Sequence, residues 1–324
     1  MNRQKYLEIR DRFKLDPDSN ALALFWIQTG TLITLGVTIL SFFEQSRFAL
    51  LAIPFFSVVM FRSFSLMHDA SHGLVSKNSA VNRSVGIISG TFCFLAFDTW
   101  RSSHLEHHRW GGNIDRDPVA AMIKVFPNFP APLRGILSLG WRCWVPTLAL
   151  LQISLFWVIS LRQALTQESS FGHRFGLLVP FLFWATVFTL TPLHLTWMVL
   201  VPSIILYQIG VEVMNAPHHL GLNYVRGDVK IPAWEQFRIS RSCIYPGWLA
   251  KFVVLNFNYH TEHHMYPYVP WYHLDKLHDT LKLELGSAYN SDPSFAWIMR
   301  NRTKDLAEVY DCPDDGITKV QQAA

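Results

Sequence analysis

The stretch Asn258–Pro270, NYHTEHHMYPYVP, packs three imidazoles and a carboxylate into five residues and then breaks on proline. Residues three and four apart are neighbours on one face of a helix, so His260, His263 and His264 offer ring nitrogens from little more than a single turn. The same H-x-E-H-H spacing recurs in SHLEHHRWGG as His104, His107 and His108. Two smaller clusters accompany them, His68 and His72 in HDASH and His218 and His219 in NAPHH. The other histidines of the 14 are His173, His194, His273 and His278, and they stand apart and are read as ordinary polar residues.

The chain around these clusters is apolar. Half of its 324 residues are hydrophobic and 16% are charged, against about 25% in soluble domains, and its mean hydropathy is positive. A membrane-crossing helix needs about 20 mostly apolar residues. Ala21–Phe43 meets that length, and Phe48–Met67 follows after EQSR, with Arg62 near its middle read as facing the bundle interior. Trp144–Leu161, Gly176–Leu190 and Leu193–Val211 are further apolar runs, while Val85–Phe97 is too short to span and is expected to lie in the interface or re-enter.

The first residues, MNRQKYLEIRDRFK, are basic and amphipathic and precede a full span, unlike a cleaved leader. Positive charge before the first span places this end in the cytoplasm. A hairpin of the first two spans then returns the chain to the cytoplasmic side near His68, and all four clusters reach one layer there. That convergence requires an even number of crossings between His108 and His260, yet three apolar runs lie between them. The reading adopted is a hairpin of Gly176–Leu190 and Leu193–Val211 turning at TPLH, with Trp144–Leu161 interfacial or only partly inserted. The rival has Trp144–Leu161 crossing and the other two runs joined as one kinked helix.

Composition excludes other classes. The net charge of +4 is what topology demands of residues flanking spans, so no nucleic-acid partner is expected. Cys93, Cys143, Cys243 and Cys312 are dispersed, with no C-x-x-C and no disulfide framework. A single domain is expected over residues 1–324, with a basic segment 1–20, a core 21–283 and a loosely held polar tail 301–324. In GGNIDRDP, Asp115 and Asp117 are read as turn formers. Pro267 and Pro270 end the helix of the last cluster, and Leu274, Leu277 and Leu281 then form a packing face.

Imidazole suits zinc, copper, iron and nickel, and a closed zinc site takes four ligands. So many clustered histidines exceed one such site, which points to two metals. Asp69, Glu106 and Glu262, the carboxylates inside the clusters, are read as groups that hold ligand rings. HDASH superficially matches a zinc-peptidase helix, but that chemistry leaves three clusters unused.

The order H-x3-H, H-x2-H-H, H-x2-H-H, with a pair of spans before the first box and another before the last, resembles the membrane fatty acid desaturase superfamily from about Ala21 to about Leu283. The resemblance implies an all-α fold, a four-helix membrane bundle of two hairpins with a cytoplasmic helical cap holding two iron ions. In the animal acyl-CoA desaturases a further histidine, four residues after an asparagine, completes the metal set. By that resemblance the ligands are His68, His72, His104, His107, His108, His219, His260, His263 and His264, with Asn215 reaching a metal through water. His218 is a departure, a second candidate beside His219.

The resemblance further implies dioxygen as cosubstrate and a lipid or fatty acyl substrate. The same centre serves desaturation or, as the alternative, hydroxylation or ketolation of an alkane, sterol or carotenoid. A metal transporter or sensor is the reading from another class, though its ligands would sit at mid-membrane. No haem-binding H-P-G-G, dinucleotide fingerprint or C-x-x-C is present, so electrons are expected from a separate ferredoxin or cytochrome-b5-like donor. Arg109, Arg226, Lys230, Arg238 and Arg241 are candidates for its landing surface.

Overall fold

The computed structural model describes residues 1–166 and 171–310 and is almost entirely helical. A helix α1 (Arg3–Arg12) precedes α2 (Ser19–Phe43), whose start is capped by the Asp18 carboxylate accepting from the Asn20 amide. A short 3-10 stretch, Arg47–Ala52, leads into α3 (Ile53–Ser71). α2 buries only a stripe, Phe25, Thr29, Leu32 and Gly36, and leaves Leu24, Ile27, Leu35 and Val37 outward. That is the pattern of a helix with lipid on one side and a partner on the other. The contact is close at Gly36, where a Cβ would lie 2.9 Å from the Phe56 ring. Arg62 is 0% exposed. Its guanidinium donates to Gln28, Thr29 and the Phe252 carbonyl, and it lies over the Phe25 and Phe252 rings, which answers how a charge sits inside a span.

The expected re-entrant run is two helices, α4 (Ser79–Phe92) and α5 (Phe97–Trp110), bent by 101°. Phe94 adopts φ 56° in the break, and the Leu95 amide returns to the Gly90 carbonyl at 2.8 Å. Backbone freed at membrane depth must be paired within the protein. Indole N–H groups do this: Trp184 donates to Thr91 O at 2.8 Å and Trp157 to Phe94 O at 3.0 Å.

Two short helices, α6 (Ala121–Val125) and α7 (Ala131–Arg142), lead to α8 (Thr147–Thr166), α9 (Phe171–Leu190) and α10 (Leu193–His219). Among the described residues four helices are long and apolar enough to cross a membrane: Ser19–Phe43, Arg47–Ser71, Thr147–Leu165 and Leu193–His219, with Arg174–Leu190 shorter. Length alone therefore favours α8 over α9, against the hairpin expected from the sequence. Contacts point the other way. α8 begins with the Leu148 amide on Glu212, seven residues before the end of α10, passes Phe94, and packs Ala164 with Ala96 and Leu177. α9 starts beside Asp98 and ends at the turn where His194 faces Glu44, 3.8 Å away, next to the turn between α2 and α3. The start of α8 thus lies two turns before the histidine end of α10, and α9 runs from Asp98 on α5 to the turn beside Glu44.

The remaining helices form a cap. α11 (His260–Met265) stops before Pro267, and α12 (Leu274–Leu285) buries Leu274, Leu277 and Leu281 against Tyr6 and Ile9 of α1. α13 (Ser294–Asn301) and α14 (Leu306–Val309) follow. The expectation of a loose tail from residue 301 is corrected for residues 301–310. Arg302 is buried between the Trp141 and Trp144 rings and pairs with Glu212 on α10, and Leu306 and Val309 are core residues. Residues 311–324, including Cys312, lie outside the described residues. Among the described residues Cys93 and Cys143 form no disulfide.

Candidate metal centre

The ends of α3, α5, α10 and the short α11 meet in one layer, and each carries histidines. α3 and α5 bring His68, His72, His104 and His108 together with His263, and His107 meets His219, His260 and His264. Within each group the ligand atoms all lie within 4.8 Å of one another. The nine positions drawn from the resemblance thus fall into a five and a four. The H-x2-H-H spacing splits each box between the two groups, because neighbouring positions on a helix point about 100° apart. His218 joins neither group and stacks on His260, ring centroids 4.1 Å apart. Asn215 is half-buried on α10, one turn before His219.

The ring orientations show what the site is built to hold. In the group of four, His107 Nδ1 lies 2.7 Å from Asp117 Oδ1, His219 Nδ1 3.1 Å from the Ile239 carbonyl, and His264 Nδ1 2.9 Å from Gln236 Oε1. Acceptors outside fix the proton on Nδ1 and leave an Nε2 lone pair pointing inward. The Nε2 atoms face one another at 3.2 Å (His107–His219), 2.8 Å (His219–His260), 3.1 Å (His107–His264) and 3.0 Å (His260–His264). Lone pairs converging at such distances repel unless a cation lies among them, so the donor set fits a metal ion bound by neutral imidazole. The group of five repeats the arrangement, with Nε2 contacts of 2.8 Å (His72–His104), 3.2 Å (His104–His108) and 2.8 Å (His108–His263).

Burial, and then the charge of Arg101, pushes the His72 imidazole down to about 3. Burial first, then neighbouring imidazoles, holds His260, His263 and His264 well below the ordinary histidine range. All four are therefore neutral at pH 7, the form that binds metal. The group of four is fully buried, whereas His72, His104 and His108 are only partly covered. Aromatic rings pack beside the group of five: Trp100 stacks on His104 at 4.6 Å, and Phe257 meets His68 edge-on at 4.8 Å. A small cavity beside His68 and His263 is lined by Ser65, Asp69, Leu255, Phe257 and Leu274.

Four readings of the sequence need correction. Glu106 does not stand behind a ligand; it is exposed and pairs with Arg109 at 3.3 Å. Glu262 is buried but bonds Ser242, His278 and Tyr289, so it anchors α11 to the cap rather than a ligand ring. His278, read as an ordinary isolated polar residue, belongs to that buried network. Arg241 is no surface residue; it is buried and donates to the carbonyls of Pro217 and Leu220, holding the last turn of α10. Asp69 does lie near its neighbour, 3.5 Å from His68 Nδ1, and accepts from the Trp271 amide. The sequence reading missed the ring-holding roles of Asp117 and Gln236. Asp117 does form the expected turn, accepting from the Gly112 and Val119 amides, and spends its remaining acceptor capacity on His107. Nothing local in AWEQFR marks Gln236.

Against known families, residues 46–293 match the model described as fatty acid desaturase. The chain belongs to the fatty acid desaturase family. A "sn-1 oleoyl-lipid 12-desaturase" of Picosynechococcus sp. is 23% identical over 265 residues, 80% of this chain and 76% of that protein. An "Omega-3 fatty acid desaturase, endoplasmic reticulum" of Vigna radiata is 26% identical, over 70% of this chain and 62% of the relative. A "sn-2 acyl-lipid omega-3 desaturase (ferredoxin), chloroplastic" of Helianthus annuus is 24% identical, over 70% of this chain and 54% of the relative. The chain therefore spans three quarters of the cyanobacterial desaturase but little more than half to three fifths of the plant desaturases it matches.

Proposed function

We propose that this desaturase-family chain introduces a double bond into the acyl chain of a membrane lipid, using dioxygen and a di-iron centre. The observation that carries the reading is the meeting of nine imidazoles, in two facing groups, at one end of the apolar helices. One iron would be held by His68, His72, His104, His108 and His263, the other by His107, His219, His260 and His264, with Asn215 in reach through water. When bound, such a pair supplies activation of dioxygen and removal of hydrogen from an unactivated C–H bond.

The protein's share is positioning and exclusion. Asp117, Gln236 and the Ile239 carbonyl hold rings of the buried group, keeping their nitrogens aimed inward without reorganisation. Phe64, Trp100 and Phe257 wall the other group with apolar surface against which a hydrocarbon chain packs and from which water is displaced. The partly covered histidines of that group lie on its side of approach. In the membrane, α2 with α3 and α9 with α10 form the two hairpins, α8 lies along the interface, and the cap faces the cytoplasm. The names of the relatives support an acyl-lipid substrate, and one of them supports ferredoxin as electron donor.

The test is a mass-spectrometric lipid profile of cells carrying the protein, a competent donor and either the parent or His263→Ala. A histidine-dependent product two hydrogens lighter is expected, its fragmentation locating the new double bond. A product heavier by one oxygen would replace desaturation by hydroxylation, and identical profiles from two well-expressed proteins would overturn the assignment.

A further inference from the structure

Three of the four rings in the buried group pass their outward Nδ1–H to a protein acceptor, and the fourth does not. His260 Nδ1 is out of solvent and has no protein hydrogen-bond partner. A ligating histidine nearly always gives its second nitrogen to a carboxylate, a carbonyl or a water, because that bond fixes ring rotation and tautomer. Leaving a buried donor unpaired costs the full desolvation of that group.

The neighbour that covers His260 has the complementary problem. His218 is 0% exposed, and both of its ring nitrogens lack a protein partner. The two rings stack at 4.1 Å with an interplanar angle of 8°. Phe257 closes one flank of the His218 ring at 5.6 Å. On the other, its backbone is pinned by the Arg241 amide, which donates to His218 O at 2.9 Å. His218 therefore cannot turn to solvent, and a neutral imidazole there keeps one lone pair and one N–H to satisfy. Three buried ring nitrogens, one on His260 and two on His218, are thus left without a protein partner on two rings 4.1 Å apart.

We propose that His218 and His260 share a buried water, which accepts the His260 Nδ1–H and donates to the free lone pair of His218. His218 is thus a positioning residue that does for His260 what Asp117 does for His107. The site takes water because its lining nitrogens offer one donor and one acceptor, and a buried water makes about three such bonds. The inference rests on the metal-centre reading above.

The test compares metal retention in purified full-length protein loaded anaerobically with ferrous iron and challenged with a graded chelator. The variants are His218→Phe, which keeps a flat ring in the stack but no nitrogen, and His218→Gln, which can still bond a water. The parent is expected to hold two irons per chain. His218→Phe is expected to lose one of them about 10–100-fold more readily, the other being unchanged, and His218→Gln to recover most of the loss. Parental retention in His218→Phe, or equal loss in both variants, would overturn the shared water and leave only stacking. Should His218→Phe not fold, a folded His218→Gln retaining both irons supports the proposal and one that loses an iron overturns it. A parent that binds fewer than two irons overturns the metal-centre reading itself, and this inference with it.

Discussion

His107 Nδ1 and Asp117 Oδ1 lie 2.7 Å apart, both buried, across ten residues of chain. The carboxylate that shapes the loop after the second histidine box thus also sets the tautomer of one of its rings. Asp117→Asn keeps the size of the side chain but replaces the carboxylate acceptor. We expect it to weaken retention of one metal by about 10–100-fold and leave the other in place. Chelator competition on the purified variant checks this, and two unchanged affinities would remove Asp117 from the centre.

The buried pair of Glu212 and Arg302 joins α10 to the segment after α13, and Glu212 also accepts the first amides of α8. Truncating one partner strands the other charge away from water, at a cost of about 3–5 kcal/mol. Arg302→Ala should therefore lower the melting temperature in detergent strongly, and Glu212→Gln with Arg302→Met should recover part of the loss. Equal melting of Arg302→Ala and the parent would show that the segment after α13 does not hold the bundle.

Two glycines separate close packing from mere helix content. A Cβ on Gly90 would meet the Leu95 carbonyl oxygen at 2.8 Å, whereas nothing lies within 4 Å of one on Gly135 in α7. Gly90→Ala must displace backbone at the α4–α5 bend and should cost about 1–3 kcal/mol. Gly135→Ala should stabilise by about 0.5–1 kcal/mol through helix propensity. Thermal melting of the two variants should move in opposite directions.

Asp305 caps α14, accepting from the Ala307 amide at 3.0 Å and from Ser138 Oγ at 2.9 Å. The Ala307 bond holds its carboxyl below the ordinary value of 3.8. A depressed folded-state value means that the carboxylate stabilises fully above pH 3.8 and that this contribution is lost as pH falls through the folded value. Asp305→Ala should cost about 1 kcal/mol near neutrality, and its gap from the parent should close on acidification. A pH-independent gap would mean the side chain acts by packing rather than charge.

The boxes were legible because metal ligation leaves a spacing signature, and the α2–α3 pair because a span is a length of apolar chain. Asp117 was legible as a turn former but not as a ring holder, since a single Asp-Pro carries no record of what lies across the fold. Gln236 gave no signal at all. Arg302 and Leu306 looked like tail because burial by a partner 90 residues away, as Glu212 buries Arg302, leaves no local periodicity. The parity of crossings framed the competition between α8 and α9, and composition could not decide it because both runs are apolar.

His108 and His263 touch across 155 residues of chain, and His107 and His264 across 157. Each group therefore draws on the last histidine box, and neither is complete while that box is still inside the ribosome. A nascent or truncated chain can carry the early boxes at the ends of its spans without a full set of ligands in either group. A metal ion held by either group would thus be loaded only once the last box has been made, and a chain aborted before it offers neither full set of ligands.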